Sequence, residues 1–233
     1  MANTKSYSLG PGLSTAEQVA GFCYLPFYVV LLAWLLEYLS GLLGLNLSNL
    51  QLNICYFVIN CVVVWVIFHR FLLRSFQCIH FWELVQALIL GFVLYYVGNY
   101  VFSLIVGWLN IPVTNYNDTA VYELIAQSRV AMIVCAVVLG PLVEETLVRG
   151  LLFGVLRRKS RILAYVVTIV FFALLHVWQY IASQQFLGIF MAALQYVPAG
   201  IALGWTYEKS NTIWAPIALH MVINAITFGL MTI

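Results

Sequence analysis

The sequence predicts an all-α protein, a polytopic bundle of about seven transmembrane helices. The chain has 233 residues, of which 64% are hydrophobic and only 8% charged. A water-soluble globule could not bury that much apolar surface. Apolar runs of about 20 residues, the length that crosses a bilayer as a helix, recur along the chain. The connectors between them are short, so we expect residues 1–233 to form a single membrane domain.

The spans are read in order from the N-terminus. Ser14-Thr15-Ala16-Glu17 has the spacing of a capping box and precedes an apolar run from Val19 to about Leu43, which is the first predicted span. The other six are about Leu52–Phe68, Leu84–Val106, Val130–Leu156, Ile162–Ala182, Phe186–Tyr207 and Ile213–Met231. The longest connector, about residues 107–128, is predicted to be a loop because it carries the turn formers Pro112, Asn115, Asn117 and Asp118.

Several functions are disfavoured by composition. The first twenty residues lack the basic start and cleavage site of a secretory signal, so the first helix is expected to remain. The five cysteines stand singly, which argues against a disulfide framework or a cysteine-based zinc site. A formal charge of +2 is too small to suggest a nucleic-acid partner.

Basic residues predict the orientation, since cytoplasmic loops retain lysine and arginine. With the N-terminus inside, eight of the ten basic residues fall in inner segments: Lys5, Arg70, Arg74, Arg157, Arg158, Lys159, Arg161 and Lys209. The long outer connector carries Asp118 and Glu123 instead. We therefore expect a multi-pass protein, in the cell membrane, with its N-terminus in the cytoplasm and its C-terminus outside.

Polar side chains inside three spans are the candidate functional residues. The fourth span has Glu144, Glu145 and Arg149, the fifth has His176, and the seventh has His220 and Asn224. A carboxylate at bilayer depth costs about 3 kcal/mol on insertion scales, so a functional site is the default interpretation. Counted from the inner basic residues at about 1.5 Å per residue, Glu144, His176 and His220 all lie about 16 to 22 Å deep. These three side chains are therefore predicted to lie close together.

Helical spacing gives the two glutamates different roles. Glu145 and Arg149 are four residues apart on one face, with the acid nearer the N-terminus, which favours an ion pair. Glu144 is turned about 100° away and is five residues from Arg149, so it has no local cation and depends on another helix or on water. An unpaired carboxylate with little solvation accepts a proton readily, which suits a general base. The alternative interpretation of Glu144, Glu145 and Arg149 is a structural ion-pair cluster that holds helices together.

Three motifs resemble a known family. Glu144-Glu145-Thr146-Leu147-Val148-Arg149 resembles the Glu-Glu-x-x-x-Arg signature of the CAAX protease and bacteriocin-processing family, also called the Abi family. Phe172-Ala173-Leu174-Leu175-His176 is similar to its Phe-x-x-x-His signature, and His220-Met221-Val222-Ile223-Asn224 to its His-x-x-x-Asn/Asp signature. With Pro141 just before them, the motifs lie within residues 141–224 in the order of the family.

The resemblance implies an intramembrane endopeptidase of the glutamate type. Glu144 would be the general base, His176 its partner in holding the water, and His220 and Asn224 the oxyanion donors. Glu145 and Arg149 would support the site. No cofactor is expected, although Glu144, His176 and His220 are also a possible ligand set for catalytic zinc, as in a metalloprotease.

The resemblance leaves the substrate open. Prenylated CAAX tails, bacteriocin or pheromone leaders, and membrane-protein segments are the candidate peptide or protein substrates, with membrane lipids as surroundings. Two other functions compete with the enzyme: a non-catalytic bacteriocin-immunity or peptide-binding protein, and a small proton-linked transporter. Water is expected to reach the site from the cytoplasmic side or laterally.

Overall fold

The computed structural model of the chain describes residues 9–230, and no β-strand occurs in that range. Its helices are α1 (Thr15–Leu42), α2 (Asn49–Gln77), α3 (Phe81–Leu109), α4 (Tyr116–Gln127), α5 (Arg129–Arg157), α6 (Arg161–Tyr180), α7 (Phe186–Ser210) and α8 (Trp214–Leu230). Six of them, all but α4 and α8, are long and apolar enough to cross a membrane, and α8 is a shorter apolar helix. The predicted all-α transmembrane bundle is confirmed.

The prediction of a loop between the third and fourth spans is wrong. Residues 116–127 form the helix α4, because Asn115 caps its N-terminus by accepting a hydrogen bond from the Asp118 amide. The apolar face of α4 packs on the end of the bundle, where Ile125 is buried against Met132 and Phe228. The turn formers therefore start a helix whose apolar side chains fix it to the bundle.

Polar caps begin several of the other helices. The capping box at the start of α1 is confirmed, since Ser14 Oγ accepts from the Glu17 amide and Glu17 accepts from the Ser14 amide. A second capping box, Ser48 with Gln51, begins α2. Asn110 and Asn211, both left-handed, end α3 and α7.

Helix α5 is the centre of the bundle, with half of its apolar window buried against 6% for α3. Glycines let the neighbouring helices approach closely, as is common between membrane helices. A Cβ at Gly150 would come within 2.9 Å of the Phe71 ring, and one at Gly200 within 2.9 Å of Ile169. The position of α5 at the centre brings its polar residues within reach of α6, α7 and α8.

The two ends of the bundle differ in charge. The basic end is where α1 begins, and its described basic residues are Arg70, Arg74, Arg157, Arg158, Lys159, Arg161 and Lys209. Ion pairs join helices there: Glu17 accepts from Arg74 at 2.9 Å, and Glu208 accepts from Arg157 and from Arg161 at 2.8 Å. The opposite end, which α4 covers, is called the α4 end below.

Candidate active site

The two glutamates of α5 lie between stretches of wider helix. Residues Val134–Leu139 and Thr146–Phe153 are π-helical, and Gly140–Glu145 between them is α-helical. Such widened turns occur often at functional sites because they shift side chains around the helix axis. Helix α5 therefore carries an irregular backbone on both sides of Glu144 and Glu145.

Glu145 accepts hydrogen bonds from side chains of two helices, α5 and α8. Its Oε1 accepts from Arg149 Nη1 at 3.0 Å and from Nδ1 of His220 on α8 at 2.8 Å. Glu145 and Arg149 are fully buried. Glu145 Oε2 and Arg149 Nε have no hydrogen-bond partner among the described residues, so the pair is held by one hydrogen bond rather than two. The predicted ion pair is present, and it also holds His220, which the sequence did not predict.

Glu144 faces both histidines of the site. Its Oε2 lies 3.9 Å from His176 Nε2 and 3.9 Å from His220 Nε2. These separations are too long for direct hydrogen bonds, and a single water molecule could bridge them. The side chain of Glu144 keeps 18% of its surface exposed, whereas Glu145 has none. The two neighbouring acids thus differ as the spacing predicted. Glu145 is buried in an ion pair, and Glu144 is partly exposed.

The hydrogen bonds at Nδ1 fix the state of both imidazole rings. His176 Nδ1 lies 2.8 Å from the Phe172 carbonyl oxygen, which can only accept, so this nitrogen carries a proton. The same argument applies to His220 Nδ1, whose partner is the carboxylate of Glu145. In a neutral ring the proton is then absent from Nε2. Both Nε2 atoms therefore present lone pairs toward Glu144.

Tyr196 fixes the ring of His176, a role that no sequence pattern signalled. The two rings stack with their centroids 4.2 Å apart and an angle of 27° between planes. Phe172 contacts the His176 ring as well, at 4.7 Å. The hydroxyl of Tyr196 donates to Asn115 Oδ1 at 2.9 Å. Helix α4 is thereby connected to the candidate site through Asn115 and Tyr196.

Asn224 lies one helical turn after His220, on the same face of α8. Its Nδ2 donates one hydrogen bond to the Ala136 carbonyl of α5 at 2.9 Å. The amide group has two N–H hydrogens, so one donor remains for another acceptor.

A single cavity of about 520 Å³ contains all four residues predicted to be catalytic. Glu144, His176, His220 and Asn224 line it, together with polar side chains that the sequence did not assign to the site: Glu37, Asn60, Asn99, Asn115, Asp118 and Tyr196. A lone glutamate in a span, such as Glu37, is as often structural as functional, so its place in the sequence does not assign it to the site. Nothing in the linear spacing of the others indicates a common cavity.

The cavity lies in the half of the bundle toward the α4 end. It is lined by the first part of α2, residues 49–60, and by the last part of α6, residues 172–180, which lie at that end. Asn115 and Asp118 of the α4 segment also line it. The cavity therefore lies toward the end of the bundle that is opposite to the basic residues.

The carboxyl group of Asp118 is enclosed at this end. Burial raises its pKa above the usual value, while hydrogen bonding to Asn117 acts in the opposite direction. Asp118 Oδ2 accepts from Asn115 Nδ2 at 2.9 Å. The charge of Asp118 is therefore held by amide groups.

A metal ion was the alternative interpretation of Glu144, His176 and His220. The residue types fit zinc, and their Nδ1 hydrogen bonds resemble those of metal-bound histidines. Ligands about 2.0–2.1 Å from a tetrahedral zinc would lie about 3.4 Å from one another, closer than the 3.9 Å separations here. No group of three His, Cys, Asp or Glu residues among the described residues is placed to hold a metal ion. The donor chemistry fits zinc, but the arrangement would have to contract.

Comparison with known proteins supports the motifs. Residues 126–226, a little under half of the chain, match the Rce1-like family. The description of this family is "Type II CAAX prenyl endopeptidase Rce1-like". A Bacillus subtilis (strain 168) protein named "Putative membrane peptidase YdiL" is 28% identical over 109 residues, which cover 46% of this chain and 40% of that protein. The chain thus spans about two fifths of the length of this curated relative. No solved structure matches the chain. The resemblance to the CAAX protease family is confirmed.

Removing the guanidinium of Arg149 should destabilise the protein strongly. The change Arg149→Met leaves the Glu145 carboxylate buried without its cation, which costs about 3–5 kcal/mol. The matched change Arg161→Met removes an ion pair whose arginine is 60% exposed, and it should cost less than about 1 kcal/mol. Thermal unfolding in detergent measures both. Equal melting temperatures for the two variants would contradict the buried pair.

Proposed function

We propose that the protein is a membrane-embedded endopeptidase, in which Glu144 activates a water molecule for attack on a peptide bond. The observation that carries the proposal is the convergence of Glu144 with two imidazole Nε2 atoms, each 3.9 Å away, inside a cavity in the bundle. The match to a family of endopeptidases and to a relative named as a membrane peptidase supports it. Peptides or proteins at the membrane are the proposed substrates.

In the proposed reaction, Glu144 takes a proton from water and the resulting hydroxide attacks the carbonyl carbon of the scissile bond. His176 helps to position the water, since its unprotonated Nε2 accepts a hydrogen bond and its ring is fixed by Tyr196. The C–N bond then breaks, and the proton held by Glu144 passes to the leaving amine.

The oxyanion of the tetrahedral intermediate needs hydrogen-bond donors. Asn224 has one N–H left after its bond to Ala136. His220 can donate from Nε2 only as an imidazolium, because Nδ1 already donates to Glu145. The Glu145 carboxylate, which accepts from Nδ1, orients the ring so that Nε2 is directed toward the cavity. We therefore assign Glu145 two roles: it pairs with Arg149, and it orients His220.

Replacing Glu144 by glutamine should abolish hydrolysis. The amide of Glu144→Gln keeps the size of the side chain and cannot take the proton, so kcat should fall by about a factor of 10³ or more. Cleavage of a quenched peptide library in detergent, read by mass spectrometry, measures it. Glu83→Gln, an exposed glutamate at the start of α3 far from the cavity, is the control and should retain full activity. Unchanged cleavage by Glu144→Gln would contradict the mechanism.

We propose that this chemistry needs no metal ion. Hydrolysis by the purified protein should then persist in EDTA and in 1,10-phenanthroline, because the water is activated by the carboxylate alone. The measurement is the cleavage rate before and after dialysis against each chelator. A loss of activity that zinc restores would replace this proposal with the zinc alternative held by Glu144, His176 and His220.

The orientation follows from the charges of the two ends. We propose that the basic end is cytoplasmic, since seven of the basic residues among those described lie there. The cavity then opens toward the outer face of the membrane, beneath α4. A substrate would reach Glu144 from outside the cytoplasm or from the outer half of the bilayer.

Cysteine labelling tests the orientation. In a variant with all five cysteines replaced, Gln127→Cys at the end of α4 should react with a membrane-impermeant maleimide in intact cells. Gln77→Cys, an exposed glutamine at the basic end, should react only after lysis. The reverse pattern would place the cavity on the cytoplasmic side.

A further inference from the structure

We infer that Tyr28 is a further catalytic residue, whose hydroxyl donates a hydrogen bond to the oxyanion of the tetrahedral intermediate. This inference rests on the proposed endopeptidase function and adds a residue that lies outside the segment 126–226 matched by the family. The donors already assigned leave room for one more. Asn224 has one N–H to spare, and His220 donates from Nε2 only as an imidazolium. A neutral phenol can donate without first gaining a proton.

Tyr28 lies on the wall of the cavity that α1 and α2 form. The side chain is 6% exposed, and it lines the cavity together with Glu144. While Glu144 Oε2 faces the two imidazoles of α6 and α8, its Oε1 lies on the side of α2: a Cβ built on Gly140 would be 3.7 Å from Oε1 and 3.2 Å from the Phe57 ring. The Tyr28 hydroxyl is close enough for the charge of Glu144 to act on it. A peptide bond held at Glu144 would therefore lie between the imidazoles and the wall that carries Tyr28.

A break in the regular α-helix accompanies the turn of Tyr28 toward the cavity. Pro26 lies inside α1, and Phe27–Leu31 directly after it is π-helical. Proline removes a backbone donor, and a π-helical turn shifts the side chains around the helix axis. Tyr24, one turn before Tyr28, is also buried, but its hydroxyl donates to Asn60 Oδ1 and the residue does not line the cavity. Two buried tyrosines of one helix thus have different surroundings.

Tyr56 of α2 holds Tyr28 in place and leaves it as a donor. The Tyr56 hydroxyl donates to the Tyr28 carbonyl at 2.8 Å, and the two rings stack with their centroids 6.1 Å apart. Since its own proton is engaged, the Tyr56 hydroxyl can only accept from its neighbour, the Tyr28 hydroxyl. A hydrogen bond to a neutral oxygen is about half as strong as one to an oxyanion. The Tyr28 hydroxyl therefore binds the oxygen of the scissile carbonyl more strongly once it is negative, which raises kcat. The phenol keeps its proton throughout, and Glu144 still carries the proton of water to the leaving amine.

Replacing Tyr28 by phenylalanine tests the donor. Tyr28→Phe removes only the hydroxyl, so kcat should fall about 10²-fold while KM stays within about twofold of wild type. Tyr24→Phe, which removes a buried hydroxyl one turn earlier on the same helix, is the matched control. It should keep both constants and lower the melting temperature, because Asn60 loses its donor. The rates are measured with a peptide from the quenched library. A kcat of Tyr28→Phe within about twofold of wild type, or an equal fall in Tyr24→Phe, would overturn the inference.

Binding of a tetrahedral anion measures the donor without turnover. The probe is a phosphinic peptide with apolar side chains, whose PO₂⁻ group has the shape and charge of the intermediate. Calorimetry in detergent gives its Kd on Glu144→Gln, in which a neutral amide stands in for the protonated acid. Adding Tyr28→Phe should weaken phosphinate binding about tenfold or more and leave the binding of the matching amide peptide unchanged. Adding Tyr24→Phe should change neither. Equal phosphinate affinities with and without Tyr28→Phe would contradict the assigned role.

The two measurements together separate this inference from the proposed function. Hydrolysis that depends on Glu144 but not on Tyr28 would support the protease and refute the Tyr28 donor. Phosphinate binding that depends on Tyr28, with no peptide hydrolysed by wild type, would support the donor and refute the protease.

Discussion

One carboxylate oxygen, Glu145 Oε1, holds the candidate site together. It accepts hydrogen bonds from Arg149 on its own helix and from His220 on α8, at 3.0 and 2.8 Å. All of these groups are buried in an apolar bundle, where an unpaired charge would cost several kcal/mol, about 3–5 on removal of one partner. The interaction therefore fixes α8 against α5 and also determines which nitrogen of His220 carries the proton.

The remaining polar groups depend on that arrangement. With His220 Nδ1 bound to Glu145, its Nε2 is directed to Glu144, which His176 approaches from α6 at the same 3.9 Å. Glu144 is the only one of the two adjacent glutamates that faces the cavity. The bundle thus separates a sealed ion pair that provides stability from an open carboxylate that is available for chemistry. The π-helical turns of α5 on both sides of Glu144 and Glu145 accommodate the different directions in which these two side chains point.

Much of the site could be predicted from the sequence, because these features depend only on the spacing of residues along a helix. The pair Glu145–Arg149 follows from a spacing of four on a helix, and the depths of Glu144, His176 and His220 follow from counting residues. The contacts of Tyr196, Asn115 and Asp118 could not be predicted, since they depend on α4 folding back over the end of the bundle. The position of the cavity under α4 could not be predicted for the same reason, since the turn formers before residue 119 did not indicate a helix that packs on Phe228.

The protonation of His220 is the most direct test of the account. Long-range ¹H–¹⁵N NMR spectra of the protein with labelled histidine, in detergent, report which ring nitrogens carry protons, and Glu144→Gln or His220→Gln assigns the signals among four histidines. The account predicts a proton on His220 Nδ1, with Nε2 either free or protonated as an imidazolium. A neutral ring protonated at Nε2 alone would show that Glu145 does not hold His220, and the proposed site would lose its organising contact.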